Sequence, residues 1–384
     1  MLATAAGAGR TSLIGLAYYA TLLLLLPGVV PPVQCQTATT SAVSWTPTIL
    51  RSLGDNLVGT DGGGNDAYFR NSGVVVDGEF YYAINGVHPI SGSLTSSYPK
   101  SLVKAKLADD TVVTRWSFTA STVGRDVDME GLTFGPEGTS AIYVGDEYNF
   151  VYRIDVTNTD VSTAVTGSWD CNSVVGSVPT DKGIESIAYN SNTGNFYIGV
   201  QETGTVHEVT LGTSTSATAG SVAQASSFTI ERSPSGMFFH AAKNVLWFDC
   251  GTTTLGDQYF YAYTTSGSKL CQITVPASVG LARTDGFFIS ADETKAYIAD
   301  SQGDQHNSAL GHVLYEVTWT DPCGISAGTS SGGDGSTSLT TTSVGGATAA
   351  TTEGLTAAAA STCGTNLGAG MVVAAVLLVF SLSS

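Results

Sequence analysis

Charge is scarce in this chain: 12% of its 384 residues are Asp, Glu, Lys or Arg, and 32 acids stand against 15 bases, a formal charge of -17. No Lys/Arg cluster occurs, which excludes the electrostatic footprint of a nucleic-acid binder. The five histidines, His88, His207, His240, His306 and His312, are scattered without an H-E-x-x-H pair, so zinc-dependent or histidine-based catalysis has no motif. No two cysteines form a C-x-x-C pair, and a structural zinc site therefore has no support. An N-x-S/T sequon is also missing, which leaves Ser and Thr hydroxyls as the candidate glycan carriers of a glycoprotein. Helix-favouring runs are few. What is plentiful is glycine, 45 residues of it, in a chain that is 42% hydrophobic, and that balance points to a turn-rich β protein with a sizeable core.

The middle of the chain repeats itself. "SGVVVDGEFYYAIN" from Ser72, "EGLTFGPEGTSAIYVGD" from Glu130, "ESIAYNSNTGNFYIGV" from Glu185, "SGMFFHAAKNVLWFDC" from Ser235 and "DGFFISADETKAYIAD" from Asp285 share one layout. A small or acidic residue opens a short apolar strand, a turn follows, and a second strand rich in Tyr, Trp, Ile and Val closes the unit. Their starts are 58, 55, 50 and 50 residues apart. Third strands follow ("SLVKAKLA", "FVYRIDV", "TVHEVTL", "QYFYAYTT", "HVLYEVTW"), and most repeats add a fourth. Four antiparallel strands at a period near 50 residues define a β-propeller blade. The last repeat ends at Trp319 one strand short, while "TPTILRSLG" near the N-terminus has no repeat of its own. The prediction is an all-β, five-bladed β-propeller over 44–322 whose N-terminal strand closes the last blade; a β-sandwich is the alternative.

Both ends read as addresses. Arg10, the apolar run from Leu13 to Val30, then Pro31, Pro32 and "VQCQT" have the layout of a secretory signal peptide over 1–35, with an uncleaved signal anchor as the alternative. Residues 323–362 are rich in Ser, Thr, Gly and Ala and read as a disordered stalk. Over 363–384, small residues, a polar spacer and "MVVAAVLLVFSLSS" match a glycosylphosphatidylinositol (GPI) attachment signal, the tail falling short of the about 20 apolar residues of a span. A single transmembrane helix is the other reading. The expected location is extracellular, at the cell surface, on a plasma-membrane lipid anchor. In that oxidising setting Cys171, Cys250, Cys271 and Cys323 make two disulfides. Cys250 with Cys271, flanking one segment of one blade, is the preferred pair and leaves Cys171 with Cys323, although spacing alone leaves the connectivity open.

In a propeller the first strand of each blade lines the axis, so equivalent positions converge. The strand starts hold Ser72, Glu130, Glu185, Ser235 and Asp285; the second strands end at Asn85, Asp146, Val200, Cys250 and Asp300, with Glu147 and Glu202 just beyond. Converging carboxylates repel unless a cation sits among them, and an all-oxygen donor set suits calcium. The expected metal ligands are Glu130, Glu185, Asp285, Asp146, Glu147 and Glu202, with Ca2+ as the cofactor. The alternative is that these acids solvate a wet channel or accept backbone N–H groups at strand ends.

"DMEGLTF...IYVGDEYNFVYRIDV", "GIESIAYNSNTGNFYIGVQETGTVHEVTL", "PSGMFFHAAKNVLWF" and "TDGFFISADETKAYIAD" resemble the blades of the SdiA-regulated family, which is related to NHL-type propellers and to esterase-like phytase domains. The resemblance covers the five repeats and implies a five-bladed propeller with bound calcium and no established reaction. Carried over by position, its strand-start acids fall on Glu130, Glu185 and Asp285, and its strand-end acids on Asp146, Glu147 and Glu202. Ser72 and Ser186 depart from the pattern.

Two functions follow from these readings. The first is an extracellular calcium-binding recognition or scaffold module, probed by protein, glycan or small-molecule ligands and acting as a monomer without nucleic acid. The second is a metal-dependent phosphoester or lactone hydrolase in which Glu130 or Glu185 serves as general base. Catalytic residues are not assigned by any motif.

Overall fold

A computed structural model describes residues 41–53, 59–60, 66–89, 100–179, 182–215, 218–251, 256–281, 283–300 and 313–327. The segments read as signal peptide and lipid anchor, and the stalk beyond 327, lie outside the described residues. The chain divides into units at 1–339 and 340–384, and all described residues belong to the first.

Two strands, β1 (Ser41–Ser44) and β2 (Ile49–Leu53), precede the blades. Blade 1 contains β3 (Gly59–Thr60), β4 (Asp66–Asp77), β5 (Phe80–Pro89), β6 (Lys100–Lys106) and β7 (Val112–Phe118). Blade 2 is β8 (Met129–Gly135), β9 (Gly138–Asp146), β10 (Phe150–Asp155) and β11 (Val165–Asp170). Blade 3 is β12 (Ile184–Asn190), β13 (Asn195–Val200), β14 (Thr205–Leu211) and β15 (Val222–Thr229). Blade 4 follows with β16 (Gly236–His240), β17 (Val245–Asp249), β18 (Gln258–Thr264) and β19 (Lys269–Val275). Blade 5 takes β20 (Thr284–Ile289), β21 (Lys295–Asp300) and β22 (Val313–Thr318). Its fourth strand is β2, antiparallel to β22, so the ring closes as the unpaired N-terminal strand predicted. Not foreseen is β1, which pairs in parallel with β19 and makes blade 4 five-stranded.

The second strands read as unbroken apolar runs because both of their faces are buried. Successive residues of β17 alternate between two clusters: Val245 and Trp247 pack with blade 5, Leu246 and Phe248 with blade 3. In β5, Tyr81 and Ala83 face blade 5 while Tyr82 and Ile84 face blade 2. In β13, Phe196 and Ile198 face blade 2, and Tyr197 faces blade 4. Five such clusters fill the five junctions between neighbouring blades, the period of two sorting each strand onto both. The seam between blades 4 and 5 gathers three tryptophans, with Trp319 edge-on to Trp45 at 5.0 Å and to Trp247 at 5.3 Å.

At the axis the inner strands touch backbone to backbone. A Cβ on Gly73 would fall 2.5 Å from the Glu130 carbonyl oxygen, and one on Gly131 would fall 2.7 Å from Ser186 Cα and Ile187 N. A Cβ on Gly236 would fall 2.9 Å from Gly286 Cα, and one on Gly286 equally close to Gly73 Cα. These are the residues just after each repeat's opening position; blade 3 carries buried Ser186 there. Small residues at one position of every repeat are what let the first strands crowd around a common line.

Closure is reinforced at the rim. Arg51 on β2 donates through Nε and Nη2 to Glu316 Oε2 at 2.8 and 2.5 Å, and Lys295 Nζ stands 2.8 Å from Glu316 Oε1. A disulfide joins Cys271 on β19 to Cys323 beyond β22, across 52 residues with a Cα separation of 6.0 Å. The expected Cys250–Cys271 pair does not form, and Cys171 and Cys250 are buried free thiols. Cys250 follows β17 while Cys271 lies on β19 level with Trp247, so two strand spacings, roughly 9.5 Å, and three residues along the strand separate them, beyond disulfide reach. Cys323 and Ile325, at the start of the segment read as a stalk, pack against the blade 4–5 core.

Replacing Gly73 with Ala is expected to cost about 1–3 kcal/mol, because the new methyl group meets backbone that cannot turn aside. Urea denaturation against Gly78→Ala, which meets nothing within 4 Å but sits at φ 55, checks it: a greater loss at Gly78 would mean that turn strain, not axial crowding, governs.

Candidate metal centre

Among the described residues, Asp128, Glu130 and Glu147 are the one group of three or more acidic, His or Cys side chains compact enough to share an ion, with one carboxylate oxygen from each lying within 4.8 Å of the others. Asp128 and Glu130 flank Met129 at the start of β8, and positions i and i+2 of an extended chain point the same way. Glu147 is the first residue after β9 and is fixed by its backbone N–H, which donates to the Asp128 carbonyl at 3.0 Å. Lys100, first residue of β6 in blade 1, reaches across the junction: its ammonium pairs with Asp128 and stands 3.6 Å from Glu130 Oε1.

The electrostatics are lopsided. Burial, followed by the charges of Glu130 and Glu185, pushes Glu147 up to about 12. Burial, the largest influence, works against ionised Asp128, but the charge and hydrogen bond of Lys100 together with hydrogen bonds to Glu130 and Glu147 hold that carboxyl below its usual range. Lys100 stands against Asp128 and Glu130, while Glu147 meets the charges of Glu130 and Glu185, and that crowding is met by a proton on Glu147 or by a cation.

Of the residues expected from the sequence, Glu130 and Glu147 come together, and Glu185 at the start of β12 in blade 3 is close enough to act on Glu147. Asp146 is fully buried and does something else: its Oδ1 accepts the N–H of Asp128 at 2.9 Å and of Tyr148 at 3.2 Å. Burial pushes Asp146 up to about 6 in spite of those donors. Glu202 is exposed on the turn after β13. Asp285 lies at the start of β20 in blade 5, with Arg283 Nε 3.5 Å from its carboxylate. The acids thus gather in two places rather than around one ring.

The second gathering is in blades 4 and 5. Its deepest member is Asp249, the last residue of β17, which pairs with Gly236 as Ala299 pairs with Gly286, so it stands one residue before Cys250, the counterpart of Asp146 and Asp300 in the repeat. Asp249 is fully buried and its Oδ1 accepts a hydrogen bond from Thr284 Oγ1 at 2.6 Å. Burial first, then the charges of Asp285 and Asp300, raise it well above the usual carboxylate range.

Sequence reasoning missed Asp128 and Lys100 as site residues. The i, i+2 spacing of Asp128 and Glu130 was a usable signal. Lys100 had none, since it is 28 residues from Asp128 and meets it only across a blade junction. His240 is a structural group whose Nε2 lies 3.0 Å from Glu293 Oε1, beside Lys243, which also holds Asp321.

No family model matches the chain and no curated protein matches it. Among solved structures it is similar to Myxococcus xanthus glutaminyl cyclase at 10% identity and a TM-score of 0.45, over 73% of this chain and 100% of that one. It is also similar to the β-propeller domain of Myceliophteria thermophila Cps50 (Swd1) at 7% identity and a TM-score of 0.36, over 71% of this chain and 100% of that one. Saccharomyces cerevisiae Sqt1 follows at 13% identity and 0.34, over 65% of this chain and 73% of that one. These likenesses are distant, and the five-bladed propeller rests on the strand pairing and the five seams described above.

Because Asp249 is protonated in the folded protein over a range where the unfolded chain is ionised, the stability it supports is full below the unfolded pKa of about 3.9 and falls as pH rises toward its folded value. Asp249→Asn, which mimics the protonated acid, is expected to gain on the parent between pH 4 and pH 7, by about 1.4 kcal/mol per unit of displacement. Chemical denaturation at both pH values reads this, and an unchanged difference would show Asp249 to be ionised.

Proposed function

We propose that this propeller is a calcium-binding recognition or scaffold module of the cell exterior. The observation that carries the reading is the triad of Asp128, Glu130 and Glu147. Two oxygens on opposite sides of a calcium ion are about 4.6–5.2 Å apart, and the three carboxylate oxygens fall within 4.8 Å of one another. The donors are all hard oxygens, which suits Ca2+ over zinc or copper. Glu185, which acts on Glu147, is the nearest further carboxylate named from the sequence. The resemblance of the repeats to the SdiA-regulated family supports the same ion, and the Cys271–Cys323 disulfide fits an oxidising compartment. Secretion through the N-terminal segment, Ser/Thr glycosylation and a GPI anchor at the C-terminus belong to the proposal and rest on the sequence.

Lys100 gives the ion its competitor. A calcium ion entering the triad displaces the ammonium and lets Glu147 release its proton. Calcium binding therefore strengthens as pH rises, the direction of any site whose ligand must deprotonate.

In a thermal melt of the purified protein, calcium at about 100 times its Kd is expected to add about 2.7 kcal/mol, some 5–10 °C for a domain of this size. Glu147→Gln should abolish most of that shift. Lys100→Met should lower stability in chelator and widen the calcium response. No calcium response in the parent protein would end the proposal. Turnover of a phosphoester or lactone that disappears on chelation would put the hydrolase ahead of the binding module.

A further inference from the structure

The channel has a second mouth, and its chemistry is the reverse of the first. Moving along each inner strand away from the acids, about four residues or 13 Å from Glu130 to Phe134, the side chains become apolar. There a cavity of about 210 Å³ is lined by residues of all five blades, among them Val75, Phe134, Tyr189, Phe238 and Phe288. No charged side chain lines it. Between the two mouths lie the glycines at which the inner strands crowd together, so the cavity is separate from the carboxylate group.

Four aromatic rings at this mouth are left half-buried: Phe134, Tyr189, Phe238 and Phe288. Trp116, Trp247 and Tyr81 in the seams are sealed at 0% exposure, whereas Phe80, Tyr148, Phe228, Tyr259 and Tyr315 are partly buried at the edges of the seams. The open rings are held in place. Phe238 and Phe288 meet edge to face at 5.1 Å, and Phe134 meets Tyr82 edge to face at 6.0 Å. Of the three hydroxyl-bearing residues in the lining, Thr133, Tyr189 and Ser191, Thr133 is already engaged, its Oγ1 accepting from Tyr189 N and donating to the Phe134 carbonyl, each at 3.1 Å.

We infer that this axial cavity binds a small, uncharged aromatic molecule of one or two fused rings. The size agrees, because an apolar cavity of about 150 Å³ accepts benzene, and this one is larger by roughly the volume that a second fused ring requires. The ring faces and edges offered by Phe134, Phe238 and Phe288 suit stacked and edge-on contacts. Rigidity agrees too, since each wall is an inner strand hydrogen-bonded within its own blade, and a preformed site spends little affinity on ordering itself.

Indole is the probe, added to the full chain and followed by equilibrium dialysis and saturation-transfer NMR. Saturable binding is expected, weakened at least about tenfold by Phe238→Asp, which puts a charge into an apolar site. Ser191→Trp tests the same point without risk to the fold, because Ser191 is an exposed residue at the cavity's edge and a ring there closes the entrance. Val113→Ser, on the outer strand of blade 1, should bind as the parent does. Non-saturable uptake, equal affinity in Ser191→Trp, or tighter binding of tetramethylammonium than of indole would each overturn the inference.

Discussion

The five inner strands can share one axis because at four of their five junctions they meet where an added side chain would not fit. Gly73 against Glu130, Gly131 against Ser186, Gly236 against Gly286 and Gly286 against Gly73 are backbone contacts with no space for a methyl group. Everything outward of that ring follows from it. Once the first strands are packed this closely, the blades splay from the axis and the second and third strands need bulk on both faces to fill the widening wedges. The Tyr, Trp and Phe residues of β5, β9, β13, β17 and β21 supply it. A repeat that places a glycine at the axis and aromatics farther out is a description of that wedge.

The same crowding makes the channel a place of unequal ends. At the strand starts, carboxylates from blades 2 and 3 and an ammonium from blade 1 are forced into a space that water does not fill freely, and burial makes their mutual repulsion costly. At the far end the same strands present rings. Neither end is symmetric. The carboxyl groups divide between a gathering at blades 2 and 3 and another at blades 4 and 5, and Asp146 and Asp249 each accept a backbone or hydroxyl donor on Oδ1.

Much of the fold was legible along the chain. The repeat spacing, the turn residues and the orphan strand at Ile49–Leu53 were enough for five blades and a ring closed by the N-terminus, because these are local signals repeated many times. The disulfide was not legible. Cys250 and Cys271 are near in sequence but stand two strands apart, whereas Cys271 and Cys323 meet only because blade 5 packs beside blade 4. The parallel pairing of β1 with β19 was hidden for the same reason: "SAVS" has no repeat partner and joins the sheet across the length of the domain.

The candidate site divides along the same line. Glu130, Glu147 and Glu185 could be named from their place in the repeat, since the propeller's geometry turns equal register into spatial convergence. Which of the strand-start and strand-end acids actually meet depends on distances across blade junctions that no repeat encodes. Asp128 enters because it and Glu130 are alternate residues at the start of β8, and Lys100 because β6 of the neighbouring blade begins beside it. The sequence by itself determined the architecture, the number of blades and the acidic character of one end of the axis, for these rest on short-range periodicity. Only the tertiary structure decided which carboxylates share a space, which lysine balances them and where the axis opens into an aromatic cavity, because each of these depends on contacts between blades.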